Sequence, residues 1–520
     1  MRYIKILCVV LSIALMLCLT SCTSTSYQNK NISFRTTANI TTLDPQLAKT
    51  DAEITAVINC FEGLMAIGID GEITNGAINS YTVSDNGLEY VFNLKTTLVW
   101  EDEKTKVTAH DFVFGFQRAL SKNTKSPFAQ LLFSIKNAKS VYNNALPLSK
   151  LGVVATNDYT LSLTLEKQDH NLLSTLAHPV AMPCNKAFFE STNGRYGLDN
   201  ENTLCNGAFY LKRWNTEEDY LSLARFDSYN GNNPAIPASV TLGFNRDLDN
   251  IENGLTNEEI DIGFLSGDYA SDLKTELNLK AFYNTSYVLF IAKDAFSKNL
   301  RKALFTDINQ DTITLNLPSF IDSTPSIIPT SSKEGSYIYR TYAGELKLPE
   351  YNSKNAKKLI SQLKEDYETD FSDIKLYYPS KDIHLTRAAS QLVQTWQKDL
   401  NILVNTVEED ASEINLKFEN KEIDMAILPL TSVTGNAKDA TNMIKTLGYS
   451  RVNKIIEKSS TSINDLCENI KLMEQTLIDD YYAYPLYCEP TFCCMSKSIT
   501  DVAFNSTGSF CVFRYIKEED

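Results

Sequence analysis

Val83-Ser84-Asp85-Asn86-Gly87-Leu88-Glu89-Tyr90-Val91-Phe92-Asn93-Leu94 reads as a tight turn running into a strand. Asn86-Gly87 supplies the left-handed backbone that a short hairpin needs. Beyond it, Leu88, Tyr90, Phe92 and Leu94 alternate with Glu89, Val91 and Asn93, the period of a strand with one buried face. Thr108-Ala109-His110-Asp111 then marks a helix start, with Thr108 as cap and Asp111 at the acidic third position. Phe112, Val113, Phe116 and Leu120 follow at helical spacing. Hairpin and helix together predict an α+β module, not a repeated βαβ array.

The same grammar extends outward. Asp70-Gly71 is a second hairpin dipeptide, and Tyr159, Leu161, Leu163 and Leu165 alternate after the Asn157-Asp158 turn. In the second half, Ser353 is the expected cap of a helix carrying Ala356, Leu359, Ile360 and Leu363. Another helix, Leu385 to Leu400, buries Ala388, Leu392, Val393 and Trp396 and stops at Asn401, which tolerates a left-handed backbone. Strands are expected at Ile374–Tyr378, Ile402–Val404 and Met425–Leu428. This half alternates strand and helix, so the whole chain is expected to be mixed α/β. At 520 residues it exceeds what one core serves, and two or three domains follow.

The N-terminus carries an address. Arg2 and Lys5 precede an apolar run from Ile6 to Leu19, broken only by Ser12, which is too short for a permanent membrane span. Leu19-Thr20-Ser21-Cys22 resembles a bacterial lipobox. That resemblance implies removal of residues 1–21, acylation of Cys22 and an extracytoplasmic protein held to the cell membrane through a leash over 22–33. Each buried CH₂ of such a chain adds roughly 0.8 kcal/mol of membrane affinity. The net charge of −15 argues against nucleic acid, whose phosphates need a cationic footprint.

Chemistry-bearing motifs are scarce. Of eleven cysteines, Cys60, Cys184, Cys205, Cys467, Cys488, Cys493, Cys494 and Cys511 remain beyond Cys22, and most read as small buried apolar residues. No CxxC or Cys/His spacing predicts zinc, and His110, His170, His178 and His384 form no tight metal pattern. No metal and no cofactor are expected. No nucleophile elbow, phosphate loop or dinucleotide fingerprint occurs. An exported hydrolase stays a remote alternative to a binding protein.

A set of short segments, in order, resembles the solute-binding proteins of ABC importers, in particular the large oligopeptide-binding group. They are Leu43-Asp44-Pro45, Phe61-Glu62-Gly63-Leu64, the Val83 hairpin, Val107 to Phe114, Arg118-Ala119-Leu120, Leu151-Gly152-Val153, Asp158 to Leu161, Asn206 to Phe209, Arg301 to Leu304 and Tyr484 to Tyr487. The resemblance implies a type II periplasmic-binding-protein-like fold, two lobes about a hinge with an extra inserted domain. Domain I would hold 34–61, 206–284 and 493–520; domain II the insertion 62–205; domain III 285–492, with hinge crossings near Thr285 and Phe492. It further implies a monomer that takes a peptide or peptide-like ligand and delivers it to permease and ATPase subunits. A non-peptide solute, or a sensor role, is the alternative.

Two departures from that family stand out. Peptide binders of the group have a Gly-Trp segment and then an acidic residue that pairs with the ligand's ammonium. Here the chain reads Leu428-Pro429-Leu430-Thr431-Ser432-Val433, with Val433 about where the acid would fall. Either another carboxylate serves, or the ligand presents no free amine; an unpaired buried ammonium costs several kcal/mol. Ile308-Asn309-Gln310 also lacks the usual Asp-Arg pair, a change expected to touch structure and not the ligand. By position, the candidate ligand contacts are Lys49, Thr50 and Asp51, then Leu430, Thr431 and Ser432, with Tyr287 and Tyr487 near the hinge. Asp51 is the carboxylate that could supply the missing charge.

Overall fold

The computed structural model describes residues 29–273, 275–293, 295–335, 337–365, 373–432, 434–458, 460, 462–505 and 508–518. The leader, Cys22 and Val433 lie outside the described residues.

The backbone of the molecule is one ten-stranded sheet in the order Val404–Glu409, Ile374–Pro379, Met425–Leu430, Asn278–Ile291, Ala483–Met495, Ile262–Ser266, Asn31–Arg35, Ser239–Gly243, Tyr220–Arg225, Phe209–Asn215. Two central strands, 14 and 13 residues long, belong to both halves. At one end Thr491–Met495 pairs with Ile262–Ser266; at the other Ser286–Ile291 pairs with Met425–Leu430. The ladder between the two long strands breaks its register between Phe282 and Thr285. A second break falls between Tyr287 and Val288; a bulge bends and twists a strand locally, and the first of the two lies where the long strands pass from one half to the other. Thr285 borders that first break, and Phe492 pairs with Ala281 beside it.

The opening hairpin folds as read. Gly87 takes φ 66°, and Glu89–Leu94 lies between Ile78–Val83 and Thr160–Thr164 in a four-stranded antiparallel sheet. Phe92, Leu94, Leu161, Leu163 and Trp100 are buried. Asp111 accepts from the Thr108 amide at 2.8 Å and its hydroxyl at 2.9 Å. Asn401 ends its helix at φ 53°. Three local readings shift. The leash ends early, because Asn31–Arg35 is already a strand whose Ile32 and Phe34 enter the core. Helix Ser353–Glu365 is capped by Asn352, which accepts from the Asn355 amide at 2.9 Å, so Ser353 is its first residue. The strand expected at 402–404 starts only at Val404.

In the second half, strand alternation feeds two cores. Leu289 and Ile291 join Trp396 and Phe305 on one face, while Val288 and Phe290 join Tyr339 and Ile444 on the other. The eight described cysteines are buried free thiols, and burial pushes Cys184, Cys467 and Cys494 up to about 12.

The short motifs turn out to be clamps. Arg118 makes a forked contact with Asp44 (3.0 and 2.5 Å), and both are buried. Glu62 pairs with buried Arg514 at 2.7 Å, while Asn206 accepts from the Glu62 amide and donates to its carbonyl. Gly207 is required by crowding: a Cβ there would lie 2.6 Å from the Cys60 carbonyl carbon. The Arg118 pair ties the helix Ala109–Leu120 to the Asp44 segment, and Glu62, Asn206 and Gly207 hold the chain together near positions 62 and 206. Gln310 donates to the carbonyls of Thr324 and Pro485 at 2.8 Å each, a structural task.

Candidate functional site

The helix Asp51–Cys60 escapes pattern reading because nine of its ten residues are buried, leaving no polar face to reveal its period. Its start is rigid. Thr50 accepts from the Glu53 amide at 3.2 Å, and the Glu53 carboxylate receives the amides of Lys49 (2.8 Å), Thr50 (3.2 Å) and Thr41 (2.9 Å) and the Thr41 hydroxyl (2.6 Å). Burial alone would raise Glu53, but these donors hold it below its usual value. The side chain of Thr50 is therefore a cap.

Asp51 is the first helical residue and faces a cavity of about 180 Å³. The residues just after the first strand (Thr36, Thr37), Phe264, and Asn284 and Thr491 of the two long strands form its other walls. Water reaches the carboxylate, yet the surrounding walls desolvate it and push its pKa up to about 6. Among the described residues nothing pairs with it or donates to it. The cavity sits beside the register break of the two long strands, since Asn284 and Thr491 line it.

A second cavity, about 50 Å³, lies where residues 67–73 and 174–178 meet residues 333–335 and 434–436. Glu72 and buried His178 line it on one side, Lys333, Thr434 and Asn436 on the other, and Asn505 and Phe510 below. Burial pushes His178 down to about 3, so it is neutral. Lys333 reaches Glu72 at 3.4 Å, Lys438 reaches Asp169 at 3.3 Å, and Asn171 donates to buried Glu334 at 2.9 Å. Burial raises Glu334 to about 7. The C-terminal segment runs past both cavities, since Gly508 and Ser509 line the first and Phe510 the second.

The remaining candidates divide. Leu430 is buried and paired to Ser286, and buried Ser432 donates to the Asn436 carbonyl at 2.7 Å; only Thr431 turns outward. Tyr287 and Tyr487 face each other across the long strands, stacked at 4.6 Å, and line neither cavity. The Tyr287 hydroxyl donates to Asp382 at 2.6 Å. Asp382 was missed in the sequence, as were Lys333 and Glu72, because none carries a spacing signal.

Comparison with known proteins gives a consistent picture. Residues 72–453 match the family described as bacterial extracellular solute-binding proteins, family 5 Middle. The chain is 28% identical over 375 residues to the probable deoxycholate-binding periplasmic protein YgiS of Escherichia coli K12, covering 70% of this chain and 68% of that protein. It is 27% identical over 395 residues to the periplasmic oligopeptide-binding protein OppA of the same strain, covering 72% and 69%. The fold matches the crystal structure of the substrate-binding protein CtaP of Listeria monocytogenes with a TM-score of 0.77 at 18% identity, over 95% of this chain and all of that one.

Proposed function

The chain belongs to the bacterial extracellular solute-binding proteins of family 5, and we propose that it captures a peptide or peptide-like solute between its lobes and hands it on unchanged to an ABC permease. The family consists of binding proteins of transporters, not enzymes. What carries the peptide reading is Asp51, a desolvated and unpaired carboxylate at the hinge, suited to a ligand ammonium. It takes the place of the acid that the Leu428–Val433 segment lacks. The carbonyl of Lys49 on one wall, beside Thr50, whose amide and carbonyl are used within the helix start, and backbone groups of Thr431 on the other would recognise the peptide main chain without reading side chains. Leu430 and Ser432 hold that second wall, and stacked Tyr287 and Tyr487 stiffen the strands between. The domain boundaries proposed are 34–61 with 206–284 and 493–520, 62–205, and 285–492; the register break between Phe282 and Thr285 supports them. Contacts available only in the closed state would drive closure.

The test is thermal and chemical unfolding with three probes. A free-amine tripeptide at a hundredfold excess over Kd should add about 2.7 kcal/mol of stability. Its N-acetylated form should add far less. Stabilisation by deoxycholate, with none by either peptide, would replace the reading by the one that the name of YgiS suggests, a carboxylated amphiphile with no ammonium.

The protein is further proposed to act as a monomer on the outer face of the cell membrane, anchored by acylated Cys22 and reached by no nucleic acid. Among the described residues no helix is long and apolar enough to cross a membrane. Cys22→Ser is expected to move the protein from the membrane pellet into the soluble fraction of fractionated cells. Retention of the variant in the pellet would overturn the anchor.

A further inference from the structure

Asp382 and His384, at the start of helix Ile383–Leu400, meet Glu489 of the long strand Ala483–Met495 in one corner. One donor atom from each lies within 4.8 Å of the others. The imidazole of His384 is buried, with Nδ1 3.1 Å from Glu489 Oε1 and Nε2 3.2 Å from Asp268 Oδ2. Asp382 is fixed from two sides: Oδ1 accepts from the Leu385 amide at 2.9 Å and Oδ2 from the Tyr287 hydroxyl at 2.6 Å. Even with the imidazole protonated, three carboxylates against one cation leave the corner negative. Among the described residues no lysine or arginine pairs with Asp382 or Glu489.

Two buried polar atoms at this corner have no partner, Glu489 Oε2 and the Tyr487 hydroxyl. Tyr487 is fully buried and stacks at 4.6 Å on Tyr287, whose hydroxyl donates to Asp382, which sets Tyr487 beside the same cluster. Buried polar groups are satisfied as a rule, and an exception marks a place where something polar belongs.

We propose that Asp382, His384 and Glu489 bind a divalent transition-metal cation of the zinc class. One imidazole and two carboxylates, with no thiolate, suit such an ion and leave a position for water, which the Tyr487 hydroxyl can bond. The surroundings are those of a built site. Asp268 accepts from Nε2–H, which turns Nδ1 toward the ion, and Tyr287 orients Asp382; outer partners of this kind are a regular part of metal centres. The ion replaces the imidazole proton. It ties the helix to a strand shared by both lobes. Sequence spacing could not announce it, since His384 and Glu489 are 105 residues apart.

The experiment is equilibrium dialysis of the chelator-stripped mature protein against zinc chloride, with metal counted by mass spectrometry and fold checked by circular dichroism. One zinc per chain is expected, with at least a tenfold weaker affinity in each of His384→Gln and Glu489→Gln. Asp382→Asn gives an independent reading should either substitution prevent folding. Zinc bound equally well by the folded variants, no zinc bound at all, or displacement by equimolar magnesium would each overturn the assignment.

Discussion

Arg118→Met is expected to cost about 3–5 kcal/mol of folding stability, the range for stripping one partner from a buried ion pair. The guanidinium is enclosed: Nη1 donates to Asp44 Oδ1 at 3.0 Å and to Gln46 Oε1 at 2.5 Å, Nη2 to Asp44 Oδ2 at 2.5 Å, and the ring of Phe189 lies 4.1 Å away. Methionine fills much of the volume, so the loss reads charge and not cavity. What remains is a carboxylate 2% exposed, with the Gln46 amide at 3.0 Å as its surviving donor. The double variant Asp44→Leu, Arg118→Met removes both charges and should recover much of the loss. Urea midpoints at unchanged slope give the comparison. The exposed pair Arg195–Asp199, at 2.6 Å, is the control, because a solvated pair is worth roughly 0–1 kcal/mol. If Arg118→Met costs no more than removing Arg195, the buried pair is not what holds the helix Ala109–Leu120 to the Asp44 segment.

That pair also shows where reading a sequence stops. Local order was legible, because it is written in periods and caps. Phe92 and Leu94, or Leu161 and Leu163, alternate as one-faced strands must, and Asn401 ends its helix for its own conformational reason. Asp44 and Arg118 were visible only as members of separate short motifs. Nothing within either motif says that they touch, since long-range pairing leaves no period. The same limit hid the position of Asn31–Arg35 between Ser239–Gly243 and Ile262–Ser266. It hid the helix after Thr50 for the opposite reason, burial on every side. Of the candidate contacts, those read by position on backbone segments landed in strand and cap geometry. Thr50, Leu430 and Ser432 are held by structural bonds and Lys49 only through its amide, which leaves Lys49, Asp51 and Thr431 as side chains turned outward.

Asp51→Asn is the sharper functional expectation. If this carboxylate receives the ligand's ammonium, removing its charge leaves that ammonium desolvated and unpaired, a loss of about 2–5 kcal/mol, or more than roughly thirtyfold in Kd. An N-acetylated ligand, with no ammonium to lose, should bind the variant and the parent alike; calorimetry on the four combinations isolates the pair. The capping network on Glu53 does not involve the Asp51 side chain, so the helix start survives the change. The free protein should respond in the opposite sense. Burial holds Asp51 up near 6, above the ordinary carboxylate value, so the folded chain keeps its proton more tightly than the unfolded chain. Ionised Asp51 therefore costs stability at neutral pH, and that cost disappears as pH falls through 6 toward the ordinary value. Asp51→Asn should accordingly melt above the parent at pH 7.5 and together with it in acid, while the parent's affinity for the amine weakens over the same descent in pH. A variant that binds free and acetylated ligands with unchanged affinities would remove Asp51 from the site. Stability given up in the empty cleft and regained on the ligand is what a preorganised receptor for a cation requires.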